Sequence, residues 1–310
     1  LFQGSRAVRD PNTLEFVSNL LKSDLSAVMQ TDYLKEFENT FSSWLLAHST
    51  NSIQGLENFI PNFSTGTTQG FDSFYLRHRH RRFKCFVGEY FYHLKNWISN
   101  GIEWEFITDV SSIQPNDAVV ISLPFCDTGS EHDLHTQLLN TCEQLNVPVL
   151  IDCAYYPISG NVDINLQYNC IDTVCFSLSK AFPVAQLRIG VRYTRKDIFD
   201  GQSLHASINY NHNLSAYIGL EIMRKFGSDY TYSCYQEQQK EICDLLPGLT
   251  ASKCAIFAVG DSTWDSYSRA NLLREYQLDF SPELFVNRIC LNAIYENWDI
   301  WKLYASTIKI

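Results

Sequence analysis

The 310-residue chain is 45% hydrophobic and 19% charged, enough to bury one large core and too apolar for a disordered or fibrous polypeptide. A formal net charge of −10 excludes a dedicated nucleic-acid binder, which needs an excess of Lys and Arg over a contact face. No apolar run reaches the roughly 18 residues that cross a bilayer. The ten cysteines show no CxxC pair or metal spacing, and read as small buried hydrophobes of a reducing, cytoplasmic compartment.

The opening LFQGS, residues 1–5, resembles the remnant of a cleavable expression tag and is set aside from the fold. Two helical patterns follow, Pro11 to Met29 and TDYLKEFENTFSSWLLAH, the second of which Thr31 can cap, so residues 6–57 are expected to form an N-terminal helical segment. From Asn58 the texture changes to short apolar runs alternating with amphipathic stretches. The Gly- and Thr-rich turn FSTGTTQG, Phe63 to Gly70, opens a helix. It is no nucleotide P-loop, because no lysine follows its glycine. The basic run RHRHRRFK, Arg77 to Lys84, reads as the cationic last turn of a helix running into a strand.

RFKCFVG, IEWEFI, DAVVISLPF, VPVLIDCAYY, DTVCFSLSK and LRIGVRYT read as strands, and several are continuously apolar, as strands covered on both faces are. Between them, Leu134, Leu138, Leu139, Cys142 and Leu145 repeat at helical spacing, a βαβ texture. His132 and His135 open that stretch, with no third ligand evident; a solvated helix start is expected there and no metal site. After Thr194 the pattern turns helical, then gives the strands CAIFAV and LFVNRICL and a closing helix at Tyr295 to Ile308. The expected organisation is a mostly parallel α/β domain over 58–247 and a small C-terminal α/β domain over 248–310.

The strand ends carry the chemistry. VLIDCAYY ends a buried strand in Asp152, with Tyr155 three residues on; FSLSK ends another in Ser177 and Lys180, and Arg188 follows eight residues later. In an open parallel sheet ligands bind outside the carboxyl ends of the strands, so these groups are expected to face one crevice.

In order and spacing, DCAY, SLSKAF and LRIG resemble the fold type I pyridoxal-phosphate (PLP) enzymes, specifically the class I and II aminotransferases. The resemblance implies PLP held by Lys180 as a Schiff base, with Lys180 then moving the proton at the substrate's α-carbon. It implies Asp152 on the ring nitrogen, Tyr155 on the phenolic oxygen, and Ser177, Arg188 and the backbone amides of Thr65, Gly66 and Thr67 on the phosphate. In GEYFYHLKNW it implies Tyr90 over the ring and His93 behind the aspartate. In LFVNRICL, Arg288 becomes the fork for the substrate α-carboxylate. The alternative for Arg288 is the exposed face of an edge strand, and the ligand role is the expectation.

One element departs from the family. LPFCDTG, Leu123 to Gly129, offers Cys126 where relatives place an asparagine that donates to the phenolic oxygen. With Tyr155 as the main remaining donor, the Schiff-base proton is expected to persist to higher pH than in a typical member. The resemblance also implies an α-amino acid and a keto acid as small-molecule partners, and a homodimer. Transamination leads the expected reactions. A lyase, decarboxylase, racemase or cyclase needs only a different alignment at the α- or β-carbon, and a non-catalytic descendant would have little reason to keep a buried unpaired amine.

Overall fold

The computed structural model describes residues 4–22, 24–208, 210, 212–267 and 286–307. Its first helix, α1 (Pro11–Leu20), starts where Asp10 accepts the Thr13 N–H at 2.9 Å and proline takes the first helical position. The single helix expected to Met29 is two, because Asp24 accepts the Ser26 N–H at 3.0 Å and starts α2 (Leu25–Gln30) afresh. Nor does Thr31 cap α3 (Leu34–Leu46). Its hydroxyl donates back to the Ala27 carbonyl, and Asp32 instead accepts the Leu34 N–H at 3.0 Å. α3 points Phe37, Phe41 and Leu45 inward.

The chain then lays down β1 (Ser52–Gln54), β2 (Ile60–Thr65), β3 (Arg82–Phe86), β4 (Trp104–Ile107), β5 (Asp117–Ser122), β6 (Val149–Asp152), β7 (Asp163–Asn165), β8 (Ile171–Ser177) and β9 (Ile189–Thr194). Seven of these form one sheet in the order β2-β9-β8-β6-β5-β3-β4. All its pairings are parallel except the two made by β9. β1 and β7 pair separately. Every residue of β5, β6 and β9 is buried, the signature of a sheet covered on both sides. The alternation of β5 sorts its side chains accordingly. Ala118 and Val120 join Phe71, Phe74, Tyr75 and Trp97 on one face; Val119 and Ile121 join the larger core on the other.

Helices α4 (Thr68–His78), α5 (Phe91–Ser99) and α6 (His135–Leu145) make the crossovers. The basic run lies between α4 and β3 as expected: Arg77 pairs with Asp172, and the Arg82 Nε donates to Asp117 at 2.9 Å. The histidine pair corrects its expectation. His132 is only half-buried but stacks on Phe86, ring centroids 3.7 Å apart, and burial lowers the His135 imidazole to about 4. Among the described residues no cluster could hold a metal ion.

After β9 come α7 (Gly201–Ser207), α8 (Asn213–Lys225) and α9 (Tyr230–Leu245). The chain ends in an antiparallel sheet of β10 (Leu249–Ala251), β11 (Phe257–Gly260) and β12 (Asn287–Cys290), followed by helices at Asn292–Tyr295 and Trp298–Thr307. The closing helix therefore starts later than expected, after a separate turn; its expected last residue, Ile308, lies outside the described residues. No described helix is long and apolar enough to cross a membrane. All ten cysteines are free thiols, and most are buried.

The topology has one consequence for chemistry. The carboxyl ends of β2, β3, β5, β6 and β8 and the start of β9 share a single edge of the sheet.

Candidate active site

Along that edge lies a cavity whose lining includes Asp152, the last residue of β6, and Ser177, the last residue of β8. Lys180, Tyr155, Cys126, Arg188, Thr67 and Tyr90 line it too, so the fold brings eight of the sequence-predicted residues together. Thr68, Ala154, Ser179 and Ala185 complete the lining.

One end of the cavity gathers a cation, hydroxyls and a helix start. Arg188 adopts φ +52°, and its Nη2 donates to the Thr68 hydroxyl at 3.2 Å. Gly66, at φ +69°, lies so close that a Cβ there would stand 2.3 Å from the guanidinium. The Ser177 hydroxyl donates to Ser179 at 2.8 Å and accepts the Ser179 N–H at 3.0 Å. Thr67 begins the 11-residue α4 without a side-chain cap, which leaves the positive end of the helix at this spot. Two of the expected amide donors are engaged elsewhere. The Thr65 N–H donates to Gln69 at 2.8 Å, and the Gly66 N–H to the Ser64 and Arg188 carbonyls at 2.8 and 2.9 Å.

This cradle makes a prediction. Arg188→Ala should weaken binding of a phosphorylated ligand by about 10- to 100-fold, the worth of one charge-assisted hydrogen bond. Gly66→Ala should do so too, by displacing the guanidinium. Calorimetric titration with PLP checks both.

At the other end, two ionisable groups are both driven toward neutrality. Burial pushes the Asp152 carboxyl up to about 7, against the Ala154 N–H that donates to it at 3.0 Å and against the Lys180 charge. Burial also lowers the Lys180 amine, helped by the Arg288 charge and opposed by Cys126, Cys290 and Asp152. The amine donates to the Ser5 carbonyl at 2.6 Å and its hydroxyl at 3.0 Å, so residue 5, set aside on sequence grounds, reaches the site.

Tyr155 shares a hydrogen bond with the Ser5 hydroxyl at 3.0 Å and stands 3.8 Å from the Cys126 sulfur. Arg288 is not on an exposed strand face. Only 4% accessible, it donates through Nη1 to the Cys126 carbonyl at 2.5 Å and lies over the Phe257 ring, 4.3 Å from its centroid.

Tyr90 caps the start of α5 and remains 42% exposed, its ring edge-on to His93 at 5.9 Å. His93 does not line the cavity. It is fully buried and bonds through Nδ1 to the Tyr75 hydroxyl at 2.5 Å, not to Asp152 as expected, and burial lowers its imidazole to about 3.

Ser179 and Thr68 were not singled out in the sequence, although SLSK and TGTT contain them. The usable signal was spacing: Ser179 follows the strand end by two residues, and Thr68 is the first residue of α4.

No family model matches the chain, and no curated protein matches it in sequence. Solved structures do match in fold. The PLP-bound C–S lyase from Staphylococcus hominis is 16% identical, with a TM-score of 0.65 over 90% of this chain and 81% of that one. Tyrosine aminotransferase from Leishmania infantum is 13% identical, TM-score 0.64, over 93% and 87%. N-succinyldiaminopimelate aminotransferase from Mycobacterium tuberculosis is 12% identical, TM-score 0.67, over 94% and 88%. The chain has the fold type I architecture of these PLP enzymes.

Proposed function

We propose that this chain is a PLP-dependent aminotransferase acting on an α-amino acid, with Lys180 as anchor and proton carrier. The observation that carries the reading is the cavity itself, which pairs an amine and a carboxylate at one end with an arginine, two serines and a helix start at the other. The residues fit the cofactor. The Arg188 guanidinium beside the uncapped start of α4 suits a phosphate in charge, and a buried Asp152 held near neutrality would gain a partner in a protonated pyridine nitrogen.

Bound PLP supplies an aldehyde and an electron-accepting ring. The protein's part follows from the side chains. Lys180, its amine disfavoured in the charged form, is nucleophilic toward an aldehyde. When free, the same amine could take the proton from the substrate's α-carbon and return it. Asp152 would hold positive charge on the ring nitrogen, and the Tyr155 hydroxyl would donate to the phenolic oxygen. Tyr90 offers a ring face at the cavity mouth, and His93 packs behind it. Arg288, with its planar fork, would take the α-carboxylate. The reading includes a homodimer in a reducing, cytoplasmic compartment.

The reaction class is tested by mixing PLP-loaded protein with a panel of amino acids and following the absorption spectrum and products. Formation of a keto acid, matched by conversion of the cofactor to its amine form, is expected. Release of ammonia or carbon dioxide without a second substrate would overturn transamination in favour of a lyase, the activity named for one of the fold neighbours.

A further inference from the structure

Two buried acids, each next in sequence to a residue that lines the cavity, belong to none of the roles above. Glu89 is 1% exposed and Asp127 3%. Glu89 directly precedes Tyr90 in the turn from β3 to α5. Its Oε1 accepts the Ser122 N–H at 2.7 Å, and its Oε2 accepts the Ser122 hydroxyl at 2.5 Å. The same hydroxyl oxygen accepts the Cys126 N–H at 2.8 Å. The Cys126 carbonyl, in turn, accepts from Arg288 at 2.5 Å.

The relay has one direction: the Ser122 hydroxyl donates to Glu89, which leaves its oxygen's lone pairs for the Cys126 amide. That amide fixes the turn, and the turn aims the carbonyl at the guanidinium. Asp127 holds the loop from its other side. Its Oδ2 accepts the Val286 N–H at 2.9 Å, at the entry to β12. Its Cβ also fills the space beside Gly88, which has φ +97° and where an added Cβ would lie 2.6 Å away.

We propose that Glu89 is a positioning residue for Arg288: through Ser122 and the Cys126 turn it sets the guanidinium's place, and so the protein's grip on a substrate α-carboxylate. The proposal rests on the reading of Arg288 given under Proposed function. Because the relay ends on a group that binds the carboxylate in ground and transition states alike, its loss acts on KM more than on kcat.

The test uses PLP-loaded protein. KM and kcat are measured for the amino acid that the panel identifies, and the Kd of propionate, a carboxylate without an amine, is measured by calorimetry. Glu89→Gln keeps an acceptor for the Ser122 N–H but turns a donor toward its hydroxyl; Ser122→Ala removes the hydroxyl and leaves Glu89 in place. Both are mild enough to spare the fold, and melting temperatures check that. Each is expected to raise KM and the propionate Kd by about tenfold, the scale of one hydrogen bond, with kcat falling less than about threefold. The double variant should be no worse than the more severe single one, since the two residues act in one chain.

Arg288→Ala is run in parallel. If it weakens propionate by about 100-fold while both relay variants stay within twofold of the parent, the proposal is overturned and the reading of Arg288 stands. If Arg288→Ala leaves propionate binding unchanged, the reading of Arg288 falls, and the proposal falls with it.

Discussion

Lys180→Ala should remove covalent capture of PLP and lower turnover by about 10³-fold or more, because one side chain supplies both the nucleophile and the proton carrier. Burial and the Arg288 charge disfavour the amine's charged form, so deleting it removes that cost along with its two hydrogen bonds to Ser5 near the start of the chain. The cofactor-free variant should therefore melt no lower than the parent. Loss of activity together with loss of stability would mean that Lys180 serves the fold instead. Partial recovery with an added small primary amine would mark the missing group as a base.

Asp152→Asn should act in opposite directions on stability and on catalysis. In the cofactor-free protein the carboxyl sits at about 7, well above the roughly 3.9 of an unfolded chain. The native state thus holds its proton longer than the unfolded state does. That contribution to stability is fully present below about pH 4 and is lost as pH rises through about 7, a swing of up to about 4 kcal/mol. The asparagine variant avoids this loss. Without PLP it should melt higher than the parent at pH 8 and alike at pH 4. With PLP the order should reverse, since the amide cannot neutralise a pyridinium, and turnover should fall about 100- to 1000-fold, the scale of removing one preorganised electrostatic partner. Thermal melts at both pH values, with and without PLP, check the sign; a variant less stable than the parent at pH 8 without PLP would refute the electrostatic account.

Most of the central sheet was legible because its strands are buried on both faces and read as unbroken apolar runs. β5 and β6 are the clearest cases. Asp152 and Ser177 stand at strand ends as expected, whereas Lys180, expected to end its strand, falls three residues past the end of β8. β2 was harder: Ile60–Thr65 carries Pro61 and Asn62, pairs only with β9 and buries only its centre, so its apolar signal is diluted. β1 and β7 are three residues each, too short for any periodicity.

Within the site, groups whose role depends on charge and spacing were readable, and groups whose role depends on what they touch were not. Thr65 and Gly66 illustrate the limit. Their place ahead of a helix start follows from sequence, but the use of their amides by Gln69, Ser64 and Arg188 follows only from the folded backbone. Glu89 likewise looks like an ordinary turn residue until its carboxylate is found enclosed against Ser122.

The central claim is that Lys180 meets an aldehyde in this cavity. Its most direct test is to incubate the purified protein with PLP, reduce with borohydride, digest, and locate the pyridoxyl group by mass spectrometry. The account predicts one modified peptide, labelled at Lys180 and absent from Lys180→Ala. Labelling at another lysine, or a protein that stays colourless and unlabelled, would contradict it.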